Sequence, residues 1–277
     1  LLLLYITSDE DKPEMRLVIT VENLAARYGE NIVFEGVSFD VFEGEIFAIV
    51  GGNGCGKTTI FKCMTGLLKP SGGRVLVRGI DPATEDEDKL KTLRRETGVL
   101  FQSGALFGSM TLYDNMALVL KEYTALPSSV IDMIIRTKLG MVRLAGCENL
   151  LPSELSGGMK KRAGIARAMI MDPGVLFLDE PSAGLDPITS EEFDILVKNI
   201  NTGMGTTMII ITHQMESIFN IAHRVIMLDK DAKGIIAEGD PRELRKYSKD
   251  PRVMAFFGGG IHRHLAEQEQ PEASQEV

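Results

Sequence analysis

The sequence predicts an α/β chain built on a parallel sheet, and three observations carry that prediction. Apolar runs at Ile46 to Val50, Val175 to Leu178 and "MIII" from Met208 have the length and uniformity of strands buried on both faces. They alternate with stretches of helical spacing, as strands joined by crossover helices do. The first run leads straight into Gly51, Gly56, Lys57 and Thr58, which fit Gly-x-x-x-x-Gly-Lys-Ser/Thr and precede an apolar helical pattern. The expected fold is therefore that of a P-loop NTPase.

The elements follow in order. "RLVITVENLAARYG" alternates apolar and polar residues and reads as a strand entering a turn. "VFEGVSFDVFEGEIFAIV" reads as two strands joined at Glu43-Gly44, so the N-terminal part is β-rich. After the glycine loop come a helix to Gly66, a "KPSGG" turn and a strand at 74–78. From about 104 to 168 the spacing is mainly helical, with breaks at Pro127 and Pro152, and reads as a helical insertion. "VLFLDE" and "IIITH" then place carboxylates and a histidine at strand C-terminal ends, where open α/β sheets bind ligands. Beyond Gly258 the chain is glycine-rich, then polar, and is expected to be a mobile tail. The glycine loop occurs once, which implies one nucleotide-binding unit per chain.

Composition narrows the function. With 277 residues, 44% hydrophobic and 25% charged, the chain can bury a large core. A net charge of −9 argues against nucleic acid as a partner. Cys55, Cys63 and Cys147 make neither a paired metal spacing nor a closed disulfide set. No apolar run reaches the roughly 18 to 20 residues of a bilayer span. The opening "LLLLYI" is too short for a signal-peptide core and lacks a basic leader, while Met15 offers a start. Residues 1–14 are therefore expected to be an extension, 15–247 the domain and 248–277 a C-terminal extension.

The chemistry rests on a few residues. Glycines in the loop let backbone amides converge on phosphate oxygens, the helix beginning near Lys57 adds its dipole, and the ammonium adds a full charge. Thr58 would offer its hydroxyl to Mg²⁺. Asp179 at the end of its apolar strand is placed to hold Mg²⁺ through water, and Glu180 to reach a nucleophilic water. His213 and Gln102 also end apolar strands; spacing alone leaves each open between a phosphate or Mg²⁺ contact and a plain polar terminus. In "LSGGMKKRAGIARAMIM", Ser156 is a good N-cap, with Gly157 and Gly158 leaving amides bare at a second helix start. One nucleotide has one γ-phosphate, so a second anion site in the same chain suggests a nucleotide held by another copy.

The set "GGNGCGKTT", "FQSGALF", "LSGGM", "VLFLDEP", "SAGLD" and "TH", in this order, resembles the nucleotide-binding subunit of ATP-binding cassette transporters over roughly residues 17–243. That resemblance implies a parallel-sheet core, an antiparallel β subdomain and a helical signature subdomain at about 104–168. It also implies an ATP- and Mg²⁺-dependent ATPase. The segment 51–59, with Gly51, Asn53, Gly54, Gly56, Lys57, Thr58 and Thr59, is similar to the Walker A loop, and Gln102 to the Q-loop glutamine. Ser156, Gly157 and Gly158 resemble the signature motif, Asp179 with Glu180 the Walker B pair, 182–186 the D-loop, and His213 the switch histidine. Tyr28 stands where the family stacks an aromatic ring on adenine. The family works as two copies head to tail, each ATP lying between one Walker A loop and the opposite signature helix, on the cytoplasmic face of a membrane and attached to a permease.

Departures from the family pattern are Met159, where glutamine is commonest, and Gly52 and Cys55 in the loop. Cys55 is either an oxidation-sensitive thiol beside phosphate or simply a small side chain that fits. "LFQSGALFGSMTLYDNMALVL", with "LSGGMKKRAGIARA" and "LDEPSAGLDPITS", is similar to the ATPases that partner Mce-type lipid-binding proteins in maintenance-of-lipid-asymmetry systems, which implies phospholipid or other lipid transport. Phe107, Met110, Leu112 and Tyr113 in that stretch are either a permease-facing surface or core. Phe256 and Phe257 either dock on a partner copy or cap the chain's own domain. The alternative functions are an ATPase for a different solute and, less favoured, a non-transport relative acting on nucleic acid or ribosomes.

Overall fold

The computed structural model describes residues 16–258; the expected N-terminal extension and the tail beyond Gly258 lie outside the described residues. Two sheets organise the chain. Strands β1 (Leu17–Tyr28), β2 (Asn31–Phe42) and β4 (Gly72–Val77) form an antiparallel sheet in the order β2-β1-β4. The larger sheet has the order β5-β6-β7-β3-β8-β9, with β3 (Ile46–Gly51), β5 (Thr97–Leu100), β6 (Val175–Asp179), β7 (Thr207–Ile211), β8 (Arg224–Asp229) and β9 (Gly234–Gly239). All its pairings are parallel except β8 with β9. The expected joint at Glu43-Gly44 is thus a turn that hands the chain from one sheet to the other.

Alternation along the central strands shows why they read as unbroken apolar runs. Phe47, Ile49, Val175, Phe177, Ile209, Ile211, Ile226 and Leu228 share one core with the antiparallel sheet and the helix α1 (Lys57–Met64). The residues between them face the other way. Ile46, Leu176, Leu178, Met208 and Ile210 pack with the helices α3 (Leu112–Tyr123), α4 (Ser128–Met141), α5 (Gly157–Ala168) and α6 (Pro187–Met204). Ala48, Val50, Val225 and Met227 pack with α7 (Met215–Ile221) and α9 (Pro251–Phe257). With both faces covered, no position on these strands favours a polar residue.

The helical stretch expected at about 104–168 resolves into α3, α4 and α5, and both expected proline breaks fall at element starts. Pro127 precedes α4, and Pro152 opens a 3-10 turn. Sequence reading did not identify α2 (Glu87–Glu96), whose only buried residue is Leu93. A helix with so little apolar face gives almost no periodic signal; its visible marks are the Asp86 cap, accepting from Asp88 and Lys89 amides, and acids in the first turn with arginines in the last. The short helix α8 (Pro241–Tyr247) likewise shows one buried residue, Pro241.

The C-terminal aromatic pair belongs to its own domain. Val253 and Phe257 are buried, and Phe257 meets Phe219 at 6.2 Å and Phe256 at 5.1 Å between ring centroids. Arg252 ties the helix down by pairing with Asp229 at 3.0 Å and with the N-cap Asp250 at 2.7 Å. We expect Phe257→Ala to cost about 3–5 kcal/mol of stability. Urea unfolding checks this: a shift of the midpoint that is the same at low and high protein concentration marks an intrachain contact.

Candidate functional site

The site is built on the C-terminal ends of adjacent strands. In the parallel ladder Asp179 pairs with Ile211, and Ile211 with Ile49, so the ends of β6, β7 and β3 stand abreast. From β3 the chain passes through the loop 52–56 into α1, whose start carries no side-chain cap. Its first amides therefore point out of the loop, as an anion-binding helix start requires. Two glycines are fixed by shape. A methyl on Gly51 (φ 143°) would meet the Leu228 carbonyl oxygen at 2.4 Å, and one on Gly56 (φ 102°) would meet the Phe34 ring at 2.8 Å.

Lys57 arches back across this loop, its ammonium donating to the carbonyls of Gly51 and Gly52 at 2.9 Å each. Tyr28, Val33, Gly54, Gly56, Lys57, Thr58 and Thr59 line an open concavity of 290 Å³. The structure thus brings Tyr28 to the phosphate loop although 29 positions separate it from Lys57 in sequence, and it leaves the ring 52% exposed. A flat exposed ring beside an amide-lined loop suits a nucleotide, base on the ring and phosphates over the helix start. Cys55 is buried, and burial pushes its thiol up although Lys57 pulls it down. That favours the reading in which a small side chain simply fits.

At the next strand end the backbone of Glu180 sits at φ +47°, a region that costs a non-glycine residue about 1 kcal/mol or more. Its amide donates to the Ile211 carbonyl at 2.8 Å, which holds the turn against β7. Glu180 Oε1 lies 2.8 Å from His213 Nδ1, while Glu180 Oε2 is buried and has no hydrogen-bond partner among the described residues. Burial and the Glu180 charge together push the Asp179 carboxyl up; Lys161, Lys62 and Lys57 oppose them. Adjacent, repelling, part-buried carboxylates with an unsatisfied oxygen suit a cation close by. Thr58, Gln102 and Asp179 would supply hydroxyl, amide and carboxylate oxygens, the hard donors that Mg²⁺ takes. Among the described residues no group of three or more His, Cys, Asp or Glu could hold a metal, so such an ion would draw most ligands from water and phosphate.

The expected second anion site stands apart. Ser156 caps α5 by accepting from the Met159 amide at 3.2 Å, and Gly157 is exposed. Gly158 lies against α6, where a methyl would meet Thr189 at 2.8 Å. None of these residues lines the concavity of Tyr28 and Lys57.

Three polar residues at the site escaped sequence reading. Gln214, next to His213, accepts from the buried Ser182 hydroxyl at 2.5 Å and donates to the Ser182 carbonyl at 3.3 Å. Asn115, fully buried, accepts from the Phe107 amide and donates to the carbonyls of Phe107, Met110 and Thr111. That clamp shapes the turn after Gln102 so that Phe107 is 51% exposed while Leu112 is buried. Lys161, with only 7% exposure, donates to the Gln102 and Glu180 carbonyls. The available signal was phase: Lys161 stands four and eight residues before the buried Ile165 and Met169.

Fold and site together define a nucleoside triphosphatase with a phosphate-binding loop, carrying an acidic strand end and a histidine beside it. The family model described as "ABC transporter" matches residues 34–183. A relative in Haemophilus influenzae, the intermembrane phospholipid transport system ATP-binding protein MlaF, is 39% identical over 87% of this chain and 90% of its own length. The probable ribonucleotide transport ATP-binding protein mkl of Mycobacterium leprae is 39% identical over 88% of this chain and 70% of its own. Among solved structures, the dimeric post-hydrolysis state of the ATP-binding cassette MJ0796 bound to ADP and Pi matches with a TM-score of 0.72 at 29% identity, covering 80% of this chain and 98% of that one. The structure of cbiO1 from Clostridium perfringens, part of the ABC transporter complex cbiONQ, matches with a TM-score of 0.75 at 30% identity, covering 91% of this chain and 99% of that one. The chain belongs to the ABC transporter family, and it binds and hydrolyses ATP.

Thiol reactivity follows from burial. Cys63 is buried and its thiol is pushed up to about 11, Cys55 is buried in the same core, and Cys147 is partly exposed. With a chromogenic disulfide reagent at pH 8 we expect one thiol to react quickly and the other two only after unfolding. A Cys147→Ser protein should lose the fast phase.

Proposed function

We propose that this chain is the ATP-hydrolysing subunit of a system that moves phospholipid or another lipid across a cell envelope, acting through a separate membrane permease and an Mce-type lipid-binding protein. The observation that carries the enzymatic part is the contact between Glu180 and His213 on the strand ends beside the Lys57 loop. In this reading Lys57 and the loop amides from Gly51, Asn53, Gly54 and Gly56 hold the phosphates, and Tyr28 stacks on the base. Thr58, Gln102 and Asp179 hold Mg²⁺, which supplies charge neutralisation at the phosphoryl oxygens when bound. Thr59 supports the helix start from its buried position.

Glu180 then accepts or orients the proton of the attacking water, with His213 contacting one carboxylate oxygen. Ser156, Gly157 and Gly158 serve the nucleotide of a second copy, which accounts for their distance from this chain's own concavity; the dimeric structures of the related cassette MJ0796 support that arrangement. The segment 104–168 acts as one helical unit carrying both this signature and the permease-facing turn at Phe107. No described helix is long and apolar enough to cross a membrane, so attachment to the cytoplasmic face of the inner membrane would run through the permease.

The lipid cargo rests on the relative named for phospholipid transport, and a second reading on the one named for probable ribonucleotide transport. Both readings use the same proposed hydrolytic residues. Glu180→Gln should retain bound ATP while turnover falls about 10²- to 10⁴-fold. Purifying that variant from native membranes with Mg·ATP tests the cargo: an Mce-domain protein, a multispanning subunit and phospholipid support the first reading, and a permease without lipid favours the second. Recovery of nucleic acid or ribosomes would overturn both.

A further inference from the structure

Helix α5 does more than present its N-terminus. Its C-terminal half lies so close to β5 that a methyl on Gly164 would meet Leu100 at 2.6 Å and Gly104 at 3.3 Å. From this helix Arg167 donates to the carbonyls of Ala105 at 2.7 Å and Gly104 at 3.2 Å. One turn and a half earlier, Lys161 donates to the Gln102 carbonyl at 2.5 Å and to the Glu180 carbonyl at 3.0 Å. One buried ammonium therefore joins three pieces of chain: the helix headed by Ser156, the loop after β5 and the strained turn after β6.

We propose that Lys161 is a positioning residue that locks Gln102 and Glu180 to the signature helix, so that the seating of that helix on a partner's nucleotide sets the geometry of this chain's own hydrolytic carboxylate. The inference rests on the reading of Glu180 and of the two-copy site given above. A lysine costs free energy to bury, and its stem offers less packing than leucine would. Its two acceptors are backbone carbonyls of the loops that carry the candidate catalytic side chains. Burial lowers the Lys161 pKa, while the carboxylates of Glu180 and Asp179 raise it and so favour the charged, donating form. Glu180 has a positive φ and a buried, unpartnered oxygen, so its orientation depends on ties to the backbone on either side. Those ties are the Ile211 carbonyl, accepting from its amide, and the Lys161 ammonium, donating to its carbonyl.

The test compares Lys161→Met, which keeps the stem and loses the donor, with Lys161→Arg, which keeps a donor. Lys138→Met serves as a control for burying an apolar chain in place of a lysine, because Lys138 is about equally buried but pairs with Asp172 and bonds neither the Gln102 nor the Glu180 loop. With the full chain, hydrogen exchange is followed by mass spectrometry with and without Mg·ATP, alongside ATP affinity and turnover. We expect Lys161→Met to speed exchange in the 102–104 amides and in those of Glu180 and Ser182 together, to lower kcat at least about tenfold, and to leave ATP affinity within about twofold. Lys161→Arg should recover part of kcat, and Lys138→Met should move neither loop. Unchanged exchange in either loop, or unchanged kcat, overturns the proposal. A wild-type chain that binds ATP but whose Glu180→Gln variant turns over normally would instead remove the reading of Glu180, while the exchange result would still decide whether Lys161 joins the loops. Should Lys161→Met fail to fold, the exchange of Lys161→Arg at the two loops decides, with equal protection in both expected.

Discussion

The row of strand ends formed by β6, β7 and β3 is the constraint on which the site depends. Register in a ladder is strongly specified where a strand face is buried against a shaped partner, since a slip of one residue would move every side chain to the opposite face. Here one set of side chains meets α1 and the antiparallel sheet and the alternate set meets the helices, so neither face tolerates a slip. The phosphate loop, the Asp179-Glu180 turn and His213 all leave the sheet within that row. Their mutual placement is thus inherited from the core.

How much of this was legible in the sequence divides along the same line. Uniform apolar runs revealed β3, β6 and β7, and the glycine pattern with Lys57 and Thr58 revealed the loop between β3 and α1, because local chemistry dictates both. What stayed hidden was held by contacts between distant segments. Tyr28 reaches the loop only because β1 and β2 form a separate antiparallel sheet laid over it, and residue spacing carries no trace of that; the family resemblance alone suggested it. Helix α2 was missed because a helix with one buried side chain has no apolar stripe to betray it. Lys161 escaped notice because a lysine's charge reads as surface even where its phase places it on the buried side of the helix. Asn115 likewise sat unnoticed in an apolar helix.

Buried and half-buried polar groups mark where the fold gives up packing energy to hold loops in place. Asn115 satisfies four backbone groups of the 107–111 turn, Gln214 ties the 182 turn to the strand end after β7, and Lys161 joins two loops to a helix. Each replaces an apolar side chain that would pack at least as well. Loops are ordinarily the mobile part of a domain; here the loop after β5 and the turn after β6 have a buried side chain clipped to their backbone. The clip at Gln102 leaves its side chain exposed for contact while the backbone beneath it stays fixed.

The division between hydrolysis and cargo also has a structural basis. Everything that handles phosphate on the proposed reading lies at the ends of β3, β6 and β7 and at the start of α5, and related chains named for different cargoes share long identity with this one. On that reading those residues serve hydrolysis and leave the choice of cargo to another surface. A surface that distinguishes membrane partners must be exposed, rigidly shaped and mechanically linked to the site. The turn bearing Phe107 meets all three conditions: the ring is exposed, Asn115 fixes the backbone that carries it, and the intervening segment from Gln102 is bound at Gly104 and Ala105 to the same helix that Lys161 joins to Glu180. A push on Phe107 would thus be delivered to α5 and the turn after β6 through hydrogen bonds already made, with no need for the loop to reorder first.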